Sequence, residues 1–220
     1  YVLGEVPFPK TFLHGLIYGK SYWRDLPEGG IEYVSEEERV NYDLEKTPIP
    51  KDVHCRWEKM SKSKGNVINP LEVIQEYGTD AIRMGMCVSS PQSREIDLDR
   101  RRFQDLKNFT NKIWNGARFV FLNLEGNADE GLSPLTLEDL QKGISTEHLN
   151  LEDKGILGKL TQVTQSVIES LDNYSFDKAA LQAYDFFWKE FCAYYVEMVK
   201  PVLFGKSQTA HHRTNKQRLL

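Results

Sequence analysis

The sequence has only three cysteines, Cys55, Cys87 and Cys192, and no two of them form a Cys-x-x-Cys pair. Neither a disulfide framework nor a zinc site of paired thiolates is indicated, and the scatter fits a reducing cytosol. His54-Cys55 is an adjacent pair of metal-capable side chains that reads as an ordinary strand or turn, and no metal ligands are assigned. No apolar run approaches the ~20 residues that span a bilayer, and the N-terminus lacks a charged-then-apolar export signal, so no membrane partner and a cytoplasmic location are expected. Neither sign of charge dominates: 28 Lys+Arg stand against 32 Asp+Glu, a net charge of -4. That balance argues against a protein that coats nucleic acid with its whole surface, although local basic faces still count. Internal repeats and low-complexity tracts are also lacking. What is there is an ordinary globular composition, 40% hydrophobic and 27% charged over 220 residues, enough for one or two domains with real cores. Tyr1 is not an initiator methionine and Leu220 falls inside an apolar pattern, so a piece of a longer polypeptide is expected.

One stretch concentrates chemistry. Trp57-Glu58-Lys59-Met60-Ser61-Lys62-Ser63-Lys64-Gly65-Asn66 sets three lysines among small, hydroxylated, turn-forming residues. Such a composition suits a mobile loop that meets phosphate: a lysine ammonium on its flexible stem follows a reorganising triphosphate better than a fixed guanidinium fork, and serine and glycine let the backbone bend and donate N–H groups. A solvated charge run is the bland alternative. Just beyond, Asn69-Pro70-Leu71-Glu72 has the pattern of a helix start, with Asn69 as N-cap and Pro70 at the first helical position. This helix is expected to end at Gly78 in the left-handed position, and Thr79 to cap a second helix that Ser89-Ser90-Pro91 stops. Asp80 and Arg83, one turn apart, are expected to pair with each other.

On the N-terminal side, Thr11–Tyr18 has the length and apolar content of a buried strand, interrupted at Gly15 where a ligand or another backbone approaches. Residues 24–52 change character, with Pro27-Glu28-Gly29-Gly30, Glu36-Glu37-Glu38 and few apolar anchors. They read as an insertion holding at most a small hairpin at Ile31–Val34. From Asp99 to Leu124 the periodicity is helical, with an apolar stripe from Phe103 to Leu124 and a basic face of Arg100, Arg101, Arg102, Lys107, Lys112 and Arg118. A connection over 125–150, marked by Gly126-Asn127, Gly131 and Ser133-Pro134, leads to two amphipathic helices. They are joined by a tight turn at Asp172–Ser175, and the second is expected to end at Pro201. The basic tail from Gly205, with Lys206, Arg213, Lys216 and Arg218, reads as a loop toward a further helix beginning at Leu219-Leu220, with RNA phosphate as the other possible contact.

Lys59-Met60-Ser61-Lys62-Ser63 is identical to the signature loop of class I aminoacyl-tRNA synthetases. Lys64-Gly65-Asn66-Val67-Ile68-Asn69-Pro70 and Tyr77-Gly78-Thr79-Asp80-Ala81-Ile82-Arg83 resemble the segment that follows it in the valine, isoleucine and leucine enzymes. Asn111–Asn115 with Ala117–Val120, Asn173–Phe176 and Phe186–Cys192 are similar to the valine type in particular. The resemblance implies a mixed fold: the end of an α/β Rossmann-type catalytic core over 1–98, followed by an incomplete all-α anticodon-binding bundle over 99–220. It implies ATP, carrying Mg2+, together with tRNA and an amino acid, valine first, as partners. Lys62 and Lys59 take the catalytic role; Lys59, Met60, Ser61, Lys62 and Ser63, with His14 and Gly15 at a strand end, bind ATP; Arg101, Lys107, Lys112 and Arg118 face tRNA. The His-Ile-Gly-His signature of the class is absent, and the size of the 24–52 insertion is closer to the leucine enzymes. Leucine and isoleucine types, and a non-catalytic tRNA-binding module, are the competing readings.

Overall fold

The described residues of the computed structural model are 4–90, 95–125, 134–204 and 210–220. The chain divides into two compact units, one of Tyr1–Lys107 with Ser170–Lys178 and a second of Asn108–Glu169 with Ala179–Leu220.

The first unit is built on a four-stranded sheet of β1 (Leu16–Asp25), β2 (Ile31–Tyr33), β3 (His54–Lys59) and β4 (Glu95–Asp97). β3 runs antiparallel along one side of β1, from Tyr18 opposite Lys59 to Trp23 opposite His54. The other side is shared: β2 pairs antiparallel with residues 23–25 and β4 parallel with residues 16–18. His54-Cys55 thus opens a strand, as its sequence suggests, and the hairpin at Ile31 forms. The strand expected over 11–18 instead begins at Leu16, because partner strands rather than apolar content set its limits. Leu13 is 87% exposed, and Phe12 stacks on Tyr174 with ring centroids 5.4 Å apart.

Residues 24–52 are more than an insertion without anchors. They hold helix α1 (Glu36–Asp43), started by Ser35, whose hydroxyl accepts from the Glu38 N–H at 3.2 Å. Its Tyr42 packs with Tyr22 and Val53 in a buried cluster, and the Tyr42 hydroxyl donates to Glu38, which Arg24 also holds. α2 (Pro70–Tyr77) starts as expected: Asn69 accepts from the Leu71 N–H at 3.1 Å and donates to Glu72 at 2.8 Å. Gly78 has φ +91° with ψ 157°, a positive-φ conformation that suits glycine but is not the left-handed helical one. Gly78, not Thr79, occupies the cap position of α3 (Thr79–Val88). Pro91 lies outside the described residues. Asp80 and Arg83 do pair at 3.5 Å. Val73, Tyr77 and Ala81 from these helices close a core with Leu98, Phe103 and Leu106.

α4 (Arg100–Glu125) begins in the first unit and continues in the second. Phe103 and Leu106 are buried as the stripe predicts, and Phe109, which lies off that stripe, is buried beside Tyr184 at 4.4 Å between centroids. Farther along, Ile113 and Phe121 border an open apolar groove of about 410 Å³ within the second unit. The connection glycines 126–133 lie outside the described residues. α5 (Leu137–Gln141) is closed by a reciprocal Thr136–Asp139 capping box. α6 (Leu151–Asp172) leads to the tight turn, where Tyr174 has φ +55°, then to α7 (Phe176–Asp185), a π-helical segment Phe186–Tyr195 and α8 (Val196–Phe204). Pro201 lies inside α8 and does not end it. Gly205 and Lys206 are outside the described residues, and the further helix is α9 (Ala210–Leu219), which ends where it was expected to begin.

That shift changes the meaning of the basic tail. Lys216 is 1% exposed and pairs with Asp153, itself 0% exposed, and with Glu152 at 3.1 Å. The Tyr195 hydroxyl donates to Asp153 at 2.9 Å, and the Asn150 N–H donates to the same carboxylate. Asn215 bonds the Ser145 N–H and carbonyl, and Gln217 donates to the Asn123 carbonyl. α9 is therefore fastened by buried polar groups, and Lys216 is no RNA contact. Removing one member of a buried pair strands the other charge, which costs about 3–5 kcal/mol, whereas an exposed pair such as Asp80–Arg83 contributes about 0–1 kcal/mol. Urea unfolding should accordingly show a large loss for Lys216→Met and almost none for Asp80→Ala; similar losses in the two variants would refute the assignment.

Candidate functional site

β3 delivers Lys59 at its last position, opposite Tyr18. Met60 follows, its N–H donating to the Ile17 carbonyl at 3.1 Å and its side chain packing on the Val73–Phe103 core. The chain then makes a single 3₁₀ turn, Lys62–Lys64, held by Lys64 N–H to Ser61 O at 3.1 Å and Gly65 N–H to Lys62 O at 3.2 Å. Gly65 leaves this turn at φ +62°, which only glycine adopts without steric cost. The Ser61 and Ser63 hydroxyls lie 2.9 Å apart. Asn66, fully buried, accepts from the Ser61 N–H at 2.7 Å and donates to the Glu58 and Lys59 carbonyls at 3.4 and 3.3 Å. The tip of the loop is thus short and rooted on both sides.

Its charges divide unequally. Lys64 pairs with Glu58, a carboxylate that Arg56 also approaches at 3.1 Å, and the Lys64 ammonium is the main reason the Glu58 carboxyl is held below its ordinary value of 4.5. Lys59 and Lys62 are exposed and, among the described residues, have no hydrogen-bond or ion-pair partner. Two ammoniums are therefore free to meet an incoming anion. Behind the loop a cavity of about 10 Å³, lined by Gly19, Arg39, Asn66 and Arg100 among others, has room for roughly one water molecule. A phosphate chain would have to approach the lysines from their solvent side.

Other candidates fall elsewhere. His14 and Gly15 precede the first residue of β1 and so do not form a strand end; His14 is exposed and lies 2.7 Å from the Gly15 carbonyl through Nδ1. Arg101 is bidentate on Asp99 and also pairs with Glu45. Lys107 donates to the Glu76 carbonyl at 2.7 Å. In the second unit, Lys112 stands 5.6 Å over the Trp188 ring, and Arg118 is exposed with no ion-pair partner among the described residues. Arg100, placed by periodicity on the basic face, is 4% exposed and lies against the same small cavity as Arg39. Glu58, Asn66 and Gly19 were not singled out from sequence. A signal for Asn66 was its place just after a turn glycine, where a carboxamide can reach back to the chain it has left.

Both parts of the chain have counterparts in known proteins. Residues 54–99 match the family model for tRNA synthetases class I (I, L, M and V), and residues 153–220 match that for the anticodon-binding domain of tRNA ligase. Both descriptions agree with the family that the lysine loop resembles. The relatives are valine–tRNA ligases: that of Protochlamydia amoebophila is 59% identical over 100% of this chain, and those of Chlamydia felis and Chlamydia abortus are 47% and 46% identical over 100% of it. The chain spans 23% of the length of the first and 22% of the other two. Among solved structures, a ternary complex titled Agrobacterium radiobacter K84 agnB2 LeuRS-tRNA-LeuAMS aligns at 20% identity and TM-score 0.46 over 74% of this chain and 18% of that one. The sequence matches bear out the resemblance to class I synthetases of the valine type. Among the described residues no helix is long and apolar enough to cross a membrane.

The Glu58–Lys64 pair sets a pH dependence. Because folding lowers the Glu58 value, its contribution is complete above the unfolded value of 4.5 and is lost as pH falls through the lower folded one. Amide exchange at Lys64 and Gly65, corrected for its intrinsic pH dependence and compared with that of β1, should rise selectively on acidification to about pH 3. Glu58→Gln should remove that selective rise; an unchanged profile in the variant would contradict the pairing.

Proposed function

We propose that the chain is part of a valine-type class I aminoacyl-tRNA synthetase, which activates an amino acid with ATP and transfers it to tRNA in the cytoplasm. In this reading residues 1–98 are the C-terminal part of a Rossmann-type catalytic core, and residues 99–220 are part of the anticodon-binding domain. The observation that carries it is the pair of ammoniums, Lys59 and Lys62, unpartnered among the described residues, on a tip rooted by Asn66 and Glu58.

During activation the amino-acid carboxylate attacks the α-phosphorus and pyrophosphate departs, so negative charge grows on the leaving oxygens. Lys62, with Lys59 beside it, neutralises that charge; Met60 seats the loop on the core, and Ser61 and Ser63 orient the tip. Since the ammoniums gain their best contact as charge develops, they act on rate more than on ATP affinity. The free donors of the tip are ammonium and hydroxyl groups, which suit phosphate oxygens and give Mg2+ no carboxylate. In this reading Mg2+ would come bound to the nucleotide and would shield its phosphates, with no residue of the tip assigned to it. The valine substrate and the positioning of His14 and Gly15 near ATP are carried over from the valine–tRNA ligases. Of the four cations assigned to tRNA, Arg118 is the one with no described partner to give up, so it is the first candidate for a phosphate contact.

In the full-length enzyme, Lys62→Ala should lower kcat for pyrophosphate exchange on the order of a hundredfold, with tRNA binding almost unchanged. The 220-residue chain alone should show no exchange. Full exchange activity in the variant would refute the reading, and activity in the isolated chain would contradict the expectation that it lacks part of the active site.

A further inference from the structure

We infer that Asn66 is the positioning residue of the lysine loop, fixing the backbone at Ser61 so that Lys62 is presented in one orientation; the inference rests on the phosphate reading above. Asn66 is 0% exposed, and its carboxamide closes a ring over the strand end: the oxygen accepts from Ser61 N–H and the nitrogen donates to the carbonyls of Glu58 and Lys59. This arrangement needs an acceptor and a donor on one short side chain, which asparagine supplies. Aspartate has the same shape but would set a carboxylate against two carbonyl oxygens.

The neighbouring strand makes room for the clamp. A Cβ on Gly19 of β1 would lie 2.9 Å from the Asn66 backbone oxygen and 3.1 Å from the Met60 side chain, so the bare backbone at Gly19 lets the returning chain lie close. Met60, whose own N–H is held by the Ile17 carbonyl, and the Glu58–Lys64 pair restrict the flanks, while Asn66 holds the Ser61 amide next to Lys62. A group that must meet a developing charge gains from being held in place beforehand, because less ordering remains for the moment of reaction.

The test uses the full-length enzyme with Asn66→Ala, Asn66→Asp and, in parallel, Lys62→Ala. Pyrophosphate exchange, thermal unfolding and amide exchange at Ser61 are measured on each. Both Asn66 variants should lose about tenfold in kcat with ATP KM within about threefold. The Ser61 amide should lose protection in Asn66→Ala, with β1 and β3 amides unaffected. If Asn66→Ala unfolds, the shape-preserving Asn66→Asp decides alone. The inference is overturned if kcat stays within about twofold of wild type while Lys62→Ala collapses, or if kcat falls only in proportion to the folded fraction. Should Lys62→Ala also keep its kcat, it is the phosphate reading that fails.

Discussion

The pairing of β1 with β3 is the constraint on which the first unit depends. Its register, Tyr18 opposite Lys59, decides where β3 stops, and β3 stops where the lysine loop begins. Slipping that register by one residue would turn every side chain of the strand to the other face, moving buried Glu58 outward and Lys59 inward. The ladder thereby fixes which lysine faces solvent and which carboxylate remains to hold Lys64. β1 carries Gly19, whose missing side chain admits Asn66. Loop position, loop charge and loop anchorage all follow from one set of backbone hydrogen bonds.

Magnitudes separate the structural polar groups from the functional ones. Exposed pairs such as Asp80–Arg83 contribute little, since solvent screens both partners and ordering two long side chains offsets the attraction. Buried sets such as Lys216 with Asp153 matter because desolvated charges have no substitute for each other. Lys59 and Lys62 fit neither class: they are charged, exposed and unpartnered among the described residues. For the stability of this fold they do little, which agrees with the role in binding and catalysis proposed for them.

How far the sequence could be read follows from the range of the forces involved. Asn69-Pro70 at the start of α2 and the Asp80–Arg83 pair are local, since each is settled by residues within one helical turn, and both were legible. The lysine loop was legible for a different reason, as a run of five residues identical to a known signature. Helix α1 was missed because its eight residues are mostly charged and carry no apolar stripe, although Ser35 with Glu38 three positions later marks its start. The strand start at Leu16, the burial of Arg100 and Lys216, and the passage of α8 through Pro201 depend on distant chain. Periodicity assigns Arg100 and Lys216 to a wet face, and only the tertiary partners reverse that assignment. Asn66 is the sharpest case at the site: three residues beyond Ser63 it looks like a turn former, and its three hydrogen bonds appear only once the chain has folded back.

The buried Lys216–Asp153 pair has a consequence for the order in which this polypeptide can mature. Asp153 is made sixty-three positions before its counter-charge, at the start of α6. Until residue 216 has left the ribosome, a closed second unit would hold Asp153 on the Tyr195 hydroxyl and the Asn150 N–H without its counter-charge. α9 thus brings the matching cation to a helix start that was synthesised well before it.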